Sequence, residues 1–194
     1  MTYRIISIVF LSLFLTALFA VAADTDSEDT NGNQAVKGME LVKQGNCGFC
    51  HTPLIETKEG PVPAPGKTLS GYPSGMELPE LPEAEVDSEE WLEFLATLPN
   101  TVWAGPWGLS FASNITPDPG TGIGKWNKEI FIETMRSGKH IDLKRDITPP
   151  MPWRDYAKLS DEELAAIFAY LMTLEPVVNP VPKPIPIKQK EPKK

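Results

Sequence analysis

The chain has 194 residues, of which 41% are hydrophobic and 23% charged, and a formal net charge of −8. An acidic body of this size argues against nucleic acid and against an anionic membrane surface as the main partner. After a leader of ~23 residues, about 170 remain, enough for one domain with a modest core.

Residues 1–23 read as a secretory signal peptide. Arg4 gives a short positive region, an apolar run follows from Ile5 to Val21, and Ala20-Val21-Ala22 is a small-x-small cleavage pattern. The alternative is an uncleaved anchor made by residues 5–22. In either case the folded part lies outside the cytoplasm, in a periplasmic or otherwise exported location. Residues 24–33 are polar and acidic and are expected to be a disordered lead-in. From Gln34 the pattern turns helical, with Val36, Met39, Leu41 and Val42 as an apolar stripe and Gly45 as its stop.

Cys47-Gly48-Phe49-Cys50-His51 is a C-x-x-C-H sequence, the attachment site of a c-type haem. Two thiols three positions apart can each add to a vinyl group on one haem edge. The histidine after the second thiol then reaches the iron from one face. A redox disulfide would leave His51 without a role. Zinc prefers four ligands, and beyond the motif only His140 and carboxylates remain. The motif therefore predicts one covalent haem c, with Cys47 and Cys50 as thioethers and His51 as an iron ligand.

Residues 52–82 are rich in Pro and Gly and read as irregular chain. Between Glu77 and Glu93 stand eight acids and no Lys or Arg. This is expected to be a solvated face rather than a docking patch for a basic redox partner. Asp87 or Ser88 is placed to cap a short helix bearing Trp91, Leu92, Phe94 and Leu95. Trp103 to Phe111 is apolar and aromatic, a segment for the haem edge or for a small core of its own. A turn-dense loop runs from Ser113 to Gly124. A helix is predicted from about Asn127 to Ser137, stopped by Gly138. A further loop runs from His140 to Trp153. Ser160 and Glu163 form a capping box for the last helix, whose Leu164, Ile167, Phe168, Leu171 and Met172 share one face. Residues 177–194 hold five prolines and five lysines against one glutamate, and are expected to be an extended, flexible tail. Strand signals are weak throughout.

The sixth iron ligand decides the function. A thioether raises the potential and suits electron transfer, whereas an open position suits catalysis or sensing. The candidates are Met39, Met76, Met135, Met151, Met172 and His140. Met39, Met135 and Met172 lie on apolar helix faces, where methionine usually fills a core. Met76 lies in the acidic stretch. Met151 stands in Thr148-Pro149-Pro150-Met151-Pro152-Trp153, where flanking prolines stiffen the backbone around a flexible sulfur. It is the favoured ligand, with His140 as the rival.

This order of helix, C-x-x-C-H, long loops, Pro-Pro-Met-Pro and final helix resembles class I cytochromes c. Three segments resemble, more narrowly, the haem domains in cytochrome c subunits of membrane-bound alcohol and sugar dehydrogenases: Gly45 to Pro53, Ser113-Asn114-Ile115-Thr116-Pro117-Asp118 to Trp126, and Met151-Pro152-Trp153 to Leu174. The similarity covers roughly residues 35–178, and those subunits usually carry three haem domains where this chain has one motif. The resemblance implies an all-α, class I cytochrome c fold over 34–176, its helices enclosing one covalent haem, with an acidic loop insertion at about 58–106. It implies His51 and Met151 as axial ligands, and Asn114, Ile115, Pro117 and Trp126 as pocket residues. The expected function is that of an exported monohaem carrier of single electrons, not an enzyme. Its partners would be redox proteins, a dehydrogenase donor and an oxidase or cytochrome acceptor. The alternative is a haem enzyme or ligand sensor with an open or displaceable sixth site, for example one that reduces peroxide.

Overall fold

The computed structural model describes residues 26–140 and 144–187, with side chains in the first helix from Gly32 onward. The expected signal peptide and the residues after Ile187 lie outside the described residues. Among the described residues one unit ends at Asn33 and a second begins at Gln34. Helix α1 spans Asp26–Gln44 and so starts inside the stretch expected to be disordered. That stretch is polar but carries no proline, so nothing in its backbone blocks a helix.

The second half of α1 packs with α4 (Lys128–Ser137) and α6 (Asp161–Leu171) around a first core. Its buried members are Val42, Leu69, Ile123, Phe131, Leu164, Ile167 and Leu171. Gly38 sets how closely α1 approaches α6, because a Cβ there would run into the Ala166 carbonyl and the Tyr170 side chain. Helix α4 starts at Asn127, whose side chain accepts from the Ile130 N–H, and ends at Gly138 in the left-handed conformation. The Ser160–Glu163 capping box of α6 is present in both directions. Arg136 of α4 pairs with Asp161 at 2.6 Å, tying the two helices at their rim.

Of two short helices, α2 (Cys47–His51) holds the C-x-x-C-H motif and α5 (Trp153–Tyr156) follows the loop that carries Met151. A further helix, α3 (Glu89–Thr97), is capped by the Ser88 hydroxyl on the Trp91 N–H, within the acidic stretch where it was expected.

Three antiparallel hairpins join these helices among the described residues. They are β1 (Leu54–Thr57) with β2 (Gly60–Pro63), β3 (Val102–Gly105) with β4 (Gly108–Phe111), and β5 (Lys139–His140) with β6 (Arg145–Asp146). Their weak sequence signal has a physical cause. Both strands of the first hairpin are largely exposed and β4 is buried throughout, so neither alternates inside and outside. The third pair is only two residues long on each side.

The stretch 58–106, expected as a loop insertion, builds a second core with the segment after it. Tyr72, Val102, Leu109 and Phe111 are buried together, with Leu81, Phe94, Leu98, Val181 and Ile185 packed on them. The rings of Tyr72 and Phe111 meet edge to face at 5.0 Å.

One correction concerns the tail. Residues 177–187 are not a free extension but a strap fastened to the second core and to the loop segments around Ser70 and Thr121. Asn179 is buried at 3% exposure. Its amide nitrogen donates to the carbonyls of Ser70 (2.6 Å) and Tyr72 (2.8 Å), and its Oδ1 accepts from the Ser74 N–H. Ile185 pairs with Leu109 through both backbone bonds. The prolines that made the segment look like a linker lack only donors. Val177, Asn179, Val181 and Ile185 supply what holds it. Among the described residues no helix is long and apolar enough to cross a membrane.

Candidate haem site

Helix α2 places Cys47 and Cys50 one turn apart, on neighbouring positions of one face. Asn46 precedes them in the left-handed conformation (φ 53°) and turns the chain out of α1. Burial pushes the Cys47 thiol up, a rise that the Tyr156 hydroxyl partly offsets. Burial, then the neighbouring Cys47, raises Cys50 as well. Redox-active Cys-x-x-Cys pairs are tuned the opposite way. Among the described residues no group of three or more His, Cys, Asp or Glu is placed to hold a metal ion by itself.

His51 closes the motif. Its Nδ1 lies 2.8 Å from the carbonyl oxygen of Ser113. A carbonyl only accepts, so Nδ1 carries the proton and Nε2 keeps its lone pair. Burial lowers the imidazole from its ordinary value and the Ser113 carbonyl acts against this, so a neutral ring is favoured. This is the state that ligates iron, with its orientation fixed by the second nitrogen.

A cavity of about 370 Å³ opens beside the motif, and Cys47, Cys50, His51 and Met151 all line it. That volume lies in the range of about 300–1,000 Å³ typical of small-molecule sites. Helices α4 and α6 contribute Phe131, Leu164, Ile167 and Leu171, and the strap contributes Val181, Pro182 and Pro184. Thr134, also on the wall, has a fully buried hydroxyl with no protein partner in the structure. Two thiols, a neutral imidazole with one nitrogen engaged, a thioether and a mostly apolar lining fit the donor set and enclosure of a covalent haem.

Of the six sixth-ligand candidates, Met151, Met135 and His140 reach the cavity. Met135 also packs against the first core, as a helix-face methionine does. His140 sits edge-on to Trp126, with ring centres 6.3 Å apart. Met76 is 43% exposed. Met172 packs on the first core, and Met39 is half-buried on α1, outside the cavity wall. Met151 is half-buried in the loop before α5, with its carbonyl accepting from the Trp153 N–H.

The residues carried over by resemblance divide. Asn114, Ile115 and Trp126 line the cavity, whereas Pro117 does not. The Asn114 side chain is committed to the fold. Its Oδ1 accepts from the Thr116 N–H and hydroxyl, and its amide nitrogen donates to Val177 O and Thr121 Oγ1. Thr121 in turn donates to the Asp118 carboxylate, which holds Asp118 below its ordinary value.

Three contributors were not legible beforehand. Ser113 acts through a main-chain carbonyl, which no residue type announces. The Tyr156 hydroxyl donates to Gly45 O at 2.8 Å and lies 3.7 Å from Cys47 Sγ, tying α5 to the motif across a wide sequence gap. The strap lines the cavity, and its only signal was apolar residues recurring among prolines.

No protein-family model matches the chain. It is similar to the cytochrome c subunit of gluconate 2-dehydrogenase from Pantoea cypripedii, 41% identical over 159 residues, covering 81% of this chain and 26% of that protein. It is similar to the cytochrome c subunit of alcohol dehydrogenase (quinone) from Gluconacetobacter polyoxogenes, 26% identical over 175 residues, 88% of this chain and 29% of that protein. It also resembles the fructose dehydrogenase cytochrome subunit from Gluconobacter japonicus, 37% identical over 81 residues, 41% of this chain and 16% of that protein. The chain spans between 6% and 29% of the length of the curated relatives it matches. The resemblance to cytochrome c subunits of dehydrogenases, read from three short segments, thus extends over most of the chain.

Proposed function

We propose that this chain is an exported monohaem c-type cytochrome, of class I fold, that carries single electrons between redox partner proteins and performs no catalysis of its own. The haem, when bound, supplies an iron that gains or loses one electron. Cys47 and Cys50 would attach it, and His51 and Met151 would ligate its iron. The observation that carries this reading is the His51 Nδ1–Ser113 carbonyl bond beside a cavity that both thiols and Met151 also line. The close crossing of α1 and α6 at Gly38, with the cavity walled by α6, supports the fold assignment. The similarity to cytochrome c subunits supports electron transfer with dehydrogenase-type partners.

The residues do three things for such a reaction. The Ser113 carbonyl fixes the His51 ring, so an iron held by its Nε2 would find the ligand already oriented. Apolar walls from Phe131, Leu164 and Ile167 exclude water, and the Met151 thioether, as an iron ligand, would raise the potential and keep small ligands out.

The test is Met151→Ala in the purified holoprotein. The expected result is a lower potential, loss of the long-wavelength band of sulfur-ligated ferric haem, and rapid carbon monoxide uptake on reduction. A variant with the wild-type potential and spectrum removes Met151 from the iron. Rapid carbon monoxide uptake by the wild type would instead favour the haem enzyme or ligand sensor.

A further inference from the structure

We propose that Ser110 is a positioning residue for Met151, so that β4 and the strap paired with it hold the sulfur ligand in place. The inference rests on the reading of Met151 as an iron ligand. The loop around Met151 contains Pro149, Pro150 and Pro152, none of which has an N–H. Such a loop cannot anchor itself through those donors and must accept hydrogen bonds from elsewhere.

Ser110 supplies one. Its hydroxyl, on a residue 2% exposed, donates to the carbonyl of Pro149 at 2.5 Å, two residues before Met151. The same oxygen accepts from the Trp107 indole N–H at 3.3 Å, so its own proton is directed at Pro149. Leu109, the preceding residue, exchanges backbone bonds of 2.7 and 3.0 Å with Ile185 of the strap. Gly108 (φ 97°) leaves room for the Ile185 carbonyl to pass, where a Cβ would collide. The strap thus fixes β4, β4 fixes Ser110, and Ser110 fixes the loop that presents the sulfur. The β3–β4 hairpin and the strap, neither of which the motif needs, acquire a shared task in holding the Met151 loop.

Carrying Met151 away by movement of its loop backbone would break or strain the Ser110–Pro149 bond. A hydrogen bond of ordinary net strength corresponds to roughly a two- to tenfold change in the open population.

The experiment is carbon monoxide uptake by the reduced holoprotein, followed optically. Ser110→Ala is expected to speed uptake about two- to tenfold over wild type, and Ser110→Thr, which keeps the hydroxyl, to restore slow uptake. Thr101→Val removes a buried, unpartnered hydroxyl from the same region and is expected to leave uptake unchanged. Trp107→Phe is expected to give a smaller rise, and it decides the matter if Ser110→Ala does not assemble. In a Met151→Ala background Ser110→Ala is expected to add nothing. Wild-type uptake by both Ser110→Ala and Trp107→Phe, with rapid uptake by Met151→Ala, overturns the inference alone. An equal rise in Thr101→Val also overturns it, because general loosening would then suffice. If wild type takes up the gas as fast as Met151→Ala, the ligand assignment fails and the inference fails with it.

Discussion

The first core, around α1, α4 and α6, is held by aliphatic and aromatic packing, with Leu164 at 0% exposure and Leu171 at 2%. The second, around β3, β4 and α3, has four buried apolar members and relies on a polar clamp, Asn179, to fasten the strap over it. The first core packs three helices at periodic spacing. The second joins segments more than a hundred residues apart through single hydrogen bonds, such as Asn179 to Ser70. Each half of the cavity wall should therefore respond to a different kind of damage.

The largest effect is expected for Asn179→Leu. It deprives the buried carbonyls of Ser70 and Tyr72 of their donor, at about 1–3 kcal/mol for each unsatisfied group. Hydrogen exchange should show loss of protection in β3 and β4 first, with α6 protected as before. Uniform loss across both regions would mean that the two cores unfold as one unit.

Leu164→Ala should do the converse. Emptying a fully buried leucine site costs about 2–5 kcal/mol, and urea denaturation with α6 as probe should register it. Since Leu164 also lines the cavity, the variant should retain haem less well on heating. Smaller effects are expected at the helix starts. Ser88→Ala and Ser160→Ala each remove a cap worth about 1 kcal/mol. The first should loosen α3 in the second region and the second should loosen α6 in the first. Equal exchange changes at both helices in either variant would erase the distinction.

The network joining the regions sharpens the comparison through acid. The Thr121 hydroxyl and N–H bonds hold Asp118 below its ordinary value. A depressed carboxyl stabilises the fold above its unfolded pKa, and that contribution disappears as the pH falls through the folded value. Asp118→Asn should therefore flatten the acid side of a stability-versus-pH profile below ~4 while changing its slope little near neutrality. An unchanged acid limb would contradict the role given to Thr121.

Much of the first core was legible because its helices repeat apolar residues at helical spacing and announce their ends: Asn127 and Gly138 around α4, Ser160 and Glu163 at α6. The thiols and imidazole were legible because C-x-x-C-H is short and chemically restrictive. The second region hid itself. Its strands do not alternate, and its strap has the composition of a linker. The acceptor that fixes His51 belongs to the main chain of Ser113, sixty-two residues away. Contacts that depend on backbone carbonyls and on long-range closure leave no mark in residue type.

The central claim is that one haem is bonded to Cys47 and Cys50, and the most direct measurement is the pyridine haemochrome of the unfolded, purified chain after acid–acetone extraction. The account predicts one haem per polypeptide that extraction does not remove, with the spectrum of a doubly thioether-linked porphyrin, and its loss when both cysteines are replaced by alanine. No haemochrome, or a haem that extracts freely from the wild-type chain, would contradict it.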